Sequence, residues 1–272
     1  MTPGYHALRH GAAWLDLDTR GRILARGRDR ARLLHNLTSN EVKKMAPGDV
    51  CYAFLLNPQG RIQADLHLIC YDDRFLIDTE PELREKVFQH IRKYIIGDQV
   101  ELEDVTANTA SLAVEGPGAP AIREALGASW PSLSLTGQPG FRIYCAPGER
   151  VDFIAKLESA GAQPATREEA RLVRIENGKP RYGEDIRETS LPQETQQMQA
   201  VSFTKGCYLG QEIVERIRAQ GRVNKKLVRL EFEGTEPLAP GAKLIGEGGE
   251  VTSSIYSPEL GKVVALAYVR AR

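Results

Sequence analysis

Cysteine is scarce in this chain. The four present, Cys51, Cys70, Cys145 and Cys207, form no C-x-x-C pair, which argues against a disulfide framework or a self-contained zinc site. No run approaches the roughly 18 apolar residues that a membrane span requires. There is no excess of charge of either sign: 36 Lys and Arg balance 36 Asp and Glu. The footprint of a general nucleic-acid binder is therefore missing, and direct nucleic-acid binding is not expected. The N-terminus, MTPGYHALRHGAAWLDLDTR, lacks an apolar signal-peptide core and soon meets Asp16 and Asp18. That makes the cytoplasm the expected location, with no membrane partner. The five histidines, His6, His10, His35, His67 and His90, show no metal-ligand spacing, because the segment holding His6 and His10 does not read as a helix. A Walker loop, a nucleophile elbow and a G-x-G-x-x-G fingerprint are all absent.

What is present is the composition of a folded protein: 42% hydrophobic and 26% charged residues over 272 positions. That length suffices for two ordinary domains or three small ones. Strands are expected at 20–26, 50–56, 61–70, 74–78 and 99–105, with a short helix at 28–38. A clearer helix follows Thr79, where Thr79 and Glu82 are placed for a capping box, Leu83, Val87 and Ile91 recur at helical spacing, and Gly97 is the expected stop. The order β-α-β-β-(β)-α-β is the ferredoxin-like pattern. A second such pattern runs from the strand 109–115 through helices near 118–126, 151–160 and 166–177. The last of these opens with a Thr166/Glu169 capping box. Residues 183–200 are polar and Gln-rich and read mostly as loop. From about 225 onward, short β runs between Gly and Pro turns suggest a small all-β domain. The fold expected is α+β: two ferredoxin-like units plus a small C-terminal β-barrel.

The most informative segment is Lys205-Gly206-Cys207-Tyr208-Leu209-Gly210-Gln211-Glu212. Two glycines flank a Cys-Tyr pair, and an apolar periodic run follows, so Cys207 is expected in a tight turn near a helix start. Free N–H groups there, with Lys205, would favour a thiolate able to act as nucleophile, redox sensor or single metal ligand. A partly buried, inert cysteine fits the same residues equally well. The other three cysteines sit in apolar strands and read as structural.

KGCYLGQE resembles the K-G-C-Y-x-G-Q-E signature of the YgfZ family of folate-binding, iron–sulfur-related proteins at every specified position. The C-terminal stretch GEVTSSIYSPELGKVVALAYVR, together with LTSNEV, LNPQGRIQADL and RIENGKPRYGEDI, resembles the wider aminomethyltransferase superfamily of the glycine cleavage system. The resemblance spans the chain from about residue 12. It implies small domains in a ring around a central folate-binding channel. The expected boundaries are 1–16 with 108–222 for one ferredoxin-like unit, 17–107 for the other and 223–272 for the barrel.

Two carboxylates stand out. In the strand 61–70, Asp65 shares a face with Arg61, Gln63 and His67, which taken alone is the solvated face of a half-buried strand. By resemblance, Asp65 matches the second acid of the superfamily's G-G-I-x-D-D-L motif beside the folate, and Ala64 stands where the first acid would be. Glu176 lies on the same helical side as Leu172 and Val173, so it needs a partner. By resemblance it matches the Glu that binds the pterin ring, with Arg174 as that motif's Arg; a structural Glu–Arg pair is the alternative. The stretch 215–229 holds Arg216, Arg218, Arg222, Lys225, Lys226 and Arg229, and reads either as a solvated face or as a grip on the folate tail, with Arg222 preferred.

Three functions follow. The first is a tetrahydrofolate-binding accessory factor for assembly or maintenance of iron–sulfur proteins, indirectly supporting tRNA modification. In it Cys207 is a candidate transient ligand of a cluster shared with assembly or client proteins, since one thiolate cannot hold a cluster. The second is a folate-dependent aminomethyl- or methyltransferase, supported by Asp65 but set against a Cys motif those enzymes lack. The third, a tRNA-binding module using the basic stretch, is the weakest at zero net charge.

Overall fold

The computed structural model describes residues 1–127, 129–244, 246 and 248–271. In chain order the elements are α1 (Pro3–His10), β1 (Ala13–Asp16), β2 (Gly21–Arg26), α2 (Arg30–Leu37), β3 (Val50–Leu56), β4 (Ile62–Cys70) and β5 (Arg74–Thr79). Then come α3 (Arg84–Lys93), β6 (Glu101–Asp104), β7 (Ala110–Glu115), α4 (Ala119–Ala125), β8 (Gly140–Cys145), α5 (Arg150–Ser159), β9 (Gln163–Pro164) and α6 (Arg167–Glu176). The chain ends with α7 (Gln211–Gln220), β10 (Lys225–Phe232), β11 (Lys243–Leu244), β12 (Gly249–Ser257) and β13 (Lys262–Arg270). The architecture is the expected α+β, and it divides into two compact units.

The first unit comprises Met1–Asp18, Asn108–Asp185 and Leu227–Arg270. Its mixed sheet runs β8-β7-β1-β9, antiparallel except for the β1–β9 pair. The C-terminal strands form a second sheet, β10-β13-β12-β11, with a bulge between Val251 and Ser253. Helix α6 carries the predicted capping box: the Thr166 hydroxyl accepts from Glu169 N at 3.2 Å, and Glu169 accepts from Thr166 N at 2.6 Å. Such a cap is worth about 1 kcal/mol. Ala170 and Val173 pack against Tyr5, Leu8, Leu15 and Ala113.

Helix α1 was not expected. His6 and His10 lie on it one turn apart, with ring centroids separated by 4.9 Å. Eight residues are too few for a stable isolated helix. Tertiary contacts supply the rest: Tyr5 and Leu8 are buried, and Tyr5 N donates to the capping Glu169 at 3.2 Å.

The second unit comprises Thr19–Ala107 and Ile186–Lys226 with Ala271. Its antiparallel sheet runs β3-β4-β5-β2-β6. The alternation predicted for β4 is realised: Ile62, Ala64, Leu66 and Leu68 are buried, while Gln63, Asp65 and His67 are half-buried. Two local expectations are corrected. Thr79 does not cap a helix. It closes β5 opposite Leu66 and donates its hydroxyl to Asp65 O at 2.8 Å, while a 3-10 turn at Pro81–Leu83 leads into α3. The same helix ends at Lys93, ahead of Gly97. Residues 183–200 are largely irregular, broken by 3-10 turns at Pro192–Thr195 and Met198–Ala200. Among the described residues no helix is long and apolar enough to cross a membrane.

Candidate functional site

Asp65 and the Cys207 motif belong to the second unit, and Glu176 and Arg174 to the first. On β4, Asp65 Oδ2 accepts the Tyr52 hydroxyl at 2.9 Å. The Tyr52 ring packs against His67 at 4.8 Å. Burial, then the Asp65 carboxylate, push the Tyr52 hydroxyl well above its ordinary range, so it stays a proton donor. The polar face continues across the sheet. His67 pairs with Asp78 and Asp78 with Arg22, and directly opposed residues share a face. Asp78 is fully buried and holds Arg20 at 2.6 Å, while Arg22 is fully buried with its guanidinium on Thr106 O at 2.6 Å. Sequence reading singled out Asp65 and missed Arg20, Arg22 and Asp78. Carrying the alternation of β4 onto β5 and β2 would have found Arg22 and Asp78.

Glu176, at the end of α6, has a side chain only 2% exposed. Its Oε1 accepts the hydroxyls of Tyr5 at 2.5 Å and Ser257 at 2.6 Å. Its Oε2 faces Arg9 Nη1 at 3.6 Å and receives no hydrogen bond. Burial and the Glu176 carboxylate raise the Tyr5 hydroxyl well above its usual range, which fixes the direction of that hydrogen bond. Arg174 does not pair with Glu176. It reaches Asp185 at 2.8 Å and Glu184 at 2.7 Å. Asp185, fully buried, also accepts from Thr252 and Ser253 at 2.6 Å each, joining α6 to β12. The acids of that network, Glu184 and Asp185, lie in the segment RYGEDI, whose central role was not legible.

The thiol motif lies before α7. Cys207 is exposed, whereas Cys51, Cys70 and Cys145 are buried. Burial pushes the Cys51 thiol up to about 11 and raises Cys70 as well, so these two are protonated and inert. Two expectations for Cys207 are corrected. The N-cap of α7 is Gly210, three residues further on, and helix-dipole effects fade within the first turn. The Lys205 ammonium is directed to the carbonyl oxygens of His35, Thr38 (2.6 Å) and Asn40 (2.9 Å). Tyr208 is buried beneath it, with Nζ 4.8 Å from the ring centroid. Gly210 sits at φ +83°, and a Cβ there would meet Asn57 O at 2.5 Å, so this position demands glycine. Gln211 accepts from Tyr208 N at 3.3 Å, and Glu212 is exposed.

Members of the basic stretch are engaged in different ways. Arg229 donates from Nε to Glu176 O at 2.6 Å, and Arg218 lies over the Phe203 ring at 4.3 Å. Arg222 is exposed just beyond the C-cap Gly221. Among the described residues no group of three or more His, Cys, Asp or Glu side chains could hold a metal ion. The donor set of the described residues therefore does not fit a resident iron–sulfur cluster.

Comparison with known proteins places this arrangement. The GCVT N-terminal domain matches residues 2–132, and the Glycine cleavage T-protein C-terminal barrel domain matches residues 225–272. An aminomethyltransferase of Rubrobacter xylanophilus is 30% identical, covering 97% of this chain and 78% of that protein. One from Thermus thermophilus is also 30% identical, over 97% of this chain and 81% of its own length. One from Nostoc sp. is 26% identical, over 100% of this chain and 80% of its own length. The glycine cleavage system aminomethyltransferase T from Bartonella henselae shares the fold, with a TM-score of 0.88 at 22% identity over 98% of this chain and 80% of that one. This chain belongs to the aminomethyltransferase superfamily, that of the glycine cleavage T-protein.

Proposed function

We propose that this chain binds tetrahydrofolate or a close derivative and acts in folate-dependent one-carbon transfer. The observation carrying this reading is Glu176 Oε2, a buried carboxylate oxygen without a hydrogen-bond donor. Leaving such an oxygen unsatisfied costs about 1–3 kcal/mol. The adjacent N–H groups of a pterin are suitable partners for it. In this reading Asp65, held by Tyr52, is the carboxylate that the second unit offers to folate. Arg174 orients α6 through Asp185 and does not touch the ligand. Arg222 is the proposed partner of the anionic tail. Bound tetrahydrofolate supplies the acceptor nitrogen for the one-carbon unit. The names of the relatives, aminomethyltransferase, support the transfer itself. The three-part boundaries given above, 1–16 with 108–222, 17–107 and 223–272, stand with this proposal.

A second reading is favoured by the exposed Cys207, in a motif whose Lys205, Tyr208 and Gly210 serve packing. In it the protein binds folate without turnover and serves iron–sulfur assembly or client proteins, with Cys207 meeting a cluster or thiol held elsewhere. Ala64 in place of an acid points the same way. Incubation with tetrahydrofolate and aminomethylated lipoyl protein separates the two. Methylenetetrahydrofolate formed at an enzyme-like rate supports transfer. Tight calorimetric binding without product, together with loss of cellular function in Cys207→Ser, supports the accessory role. No binding of tetrahydrofolate would overturn both.

A further inference from the structure

The eight-residue thiol motif sorts into residues that are held and residues that are offered. Lys205, Tyr208 and Gly210 are fixed by packing in the second unit, whereas Gly206 and Cys207 are exposed. Gly206 has no left-handed backbone, and a Cβ there would meet nothing within 4 Å. Neither packing nor conformation explains it. The flanking chain is tied to the last turn of α2 and the segment just after it. Ser202 N donates to Ser39 O at 2.9 Å, Ser39 Oγ donates to Ala200 O at 2.5 Å, and Leu209 N donates to Asn36 O at 3.3 Å.

We propose that Lys205 is the positioning residue of this thiol: its ammonium fills the carbonyl end of α2 and fixes the 205–210 loop so that Cys207 stands outward, bare beside Gly206. The carbonyls at a helix C-terminus lack intrahelical donors and carry partial negative charge, so a cation with three N–H groups satisfies them. His35 O and Thr38 O belong to that end, and Asn40 O extends it. The Tyr208 ring closes the remaining side of the ammonium. Burial lowers the Lys205 ammonium to about 8, countered in part by Glu41, as befits a cation enclosed by protein. The functional weight of this assignment rests on the reading in which Cys207 acts.

The test uses the full chain and two kinds of readout. In the wild type under native conditions, acetylation by an N-hydroxysuccinimide ester followed by mass spectrometry, with each rate divided by that lysine's neutral-amine fraction, should modify Lys205 at least ~10-fold more slowly than Lys44, which is 81% exposed. Lys205→Met keeps length and removes the donors. It should speed amide exchange across 205–210 by ~10-fold or more, leave β3–β5 unchanged, alter the iodoacetamide rate of Cys207 severalfold and reduce cellular function to the Cys207→Ser level, with tetrahydrofolate affinity unchanged. Lys205→Arg, with a wider head group, should restore only part of the exchange protection. Acetylation of Lys205 at the Lys44 rate, both corrected in that way, would overturn the proposal even if Lys205→Met failed to fold. Unaltered loop exchange and full function in Lys205→Met would do the same. Full function in Cys207→Ser would instead remove the thiol reading, while protection and exchange still decide the role of Lys205.

Discussion

Glu176→Gln separates ligand binding from structure. The glutamine retains an Oε1 acceptor for Tyr5 and Ser257, the two hydroxyls that hold this side chain at 2.5 and 2.6 Å. It loses the charge facing Arg9 at 3.6 Å, a contact without a hydrogen bond whose Arg9 side is 20% exposed, which keeps the loss at about 0.2–1 kcal/mol, the range of solvent-screened pairs. Relief from burying an ionised carboxylate offsets part of that loss. Stability of the first unit should therefore change by no more than about 1 kcal/mol. Ligand binding should respond differently, because the substitution puts an amide donor where two ligand N–H groups need an anionic acceptor. Hydrogen bonds to a charged group are worth about 1.5–3 kcal/mol, so tetrahydrofolate affinity should fall by about 10- to 150-fold. Calorimetric titration under reducing conditions measures the affinity. Urea unfolding followed by tryptophan fluorescence measures stability in the correct unit, since both tryptophans, Trp14 and Trp130, lie in the first unit with Glu176. Undiminished affinity would refute the site. A loss of stability above about 3 kcal/mol would show Glu176 to be a structural residue instead.

Further outcomes are expected. Asp65→Asn should keep the Tyr52 hydrogen bond and the fold, yet weaken tetrahydrofolate binding about tenfold by calorimetry. Asp185→Ala should destabilise the first unit by about 3–5 kcal/mol in the same urea assay, because it strands Arg174 and the hydroxyls of Thr252 and Ser253. Glu184 beside Arg174 makes the lower end the expected value. Acid should weaken the first unit through Glu184 and Glu169. Burial works to raise both, but Arg174 and Arg171 hold Glu184 below the usual range, and the Thr166 and Thr2 bonds do the same for Glu169. A depressed folded value gives stability that is complete above the unfolded value, near 4.3, and lost as pH falls through the folded one. The urea midpoint should accordingly be flat above about pH 5 and fall below about pH 4, with Glu184→Gln flattening part of that fall.

The elements with strong periodicity were legible from the residues: β4 by its alternation, α6 by its capping box and apolar face. Helix α1 was not, because its eight residues carry a weak pattern and its stability comes from Glu169 and the core beneath α6, far away in sequence. Thr79 misled for a related reason. Its capping-box spacing to Glu82 was real, but the strand ladder of β5 claimed it first. For the site, Asp65 and Glu176 were singled out while their partners Tyr52, Tyr5 and Ser257 were not. A hydrogen bond across 171 residues, such as Tyr5 to Glu176, leaves no local trace.

The misreading of Lys205 is the most instructive. A lysine two residues from a cysteine invites an electrostatic explanation, and sequence proximity is all that supports it. The fold offers that ammonium three carbonyl oxygens and an aromatic face, a far better site than a thiol at the exposed surface. A motif can therefore encode a chemical group and its mounting in adjacent letters. Here Lys205, Tyr208 and Gly210 are the mounting, and Gly206, Cys207 and Glu212 are left exposed. The same division separates Arg174, bound into the Asp185 network, from Glu176, which keeps one oxygen without a donor.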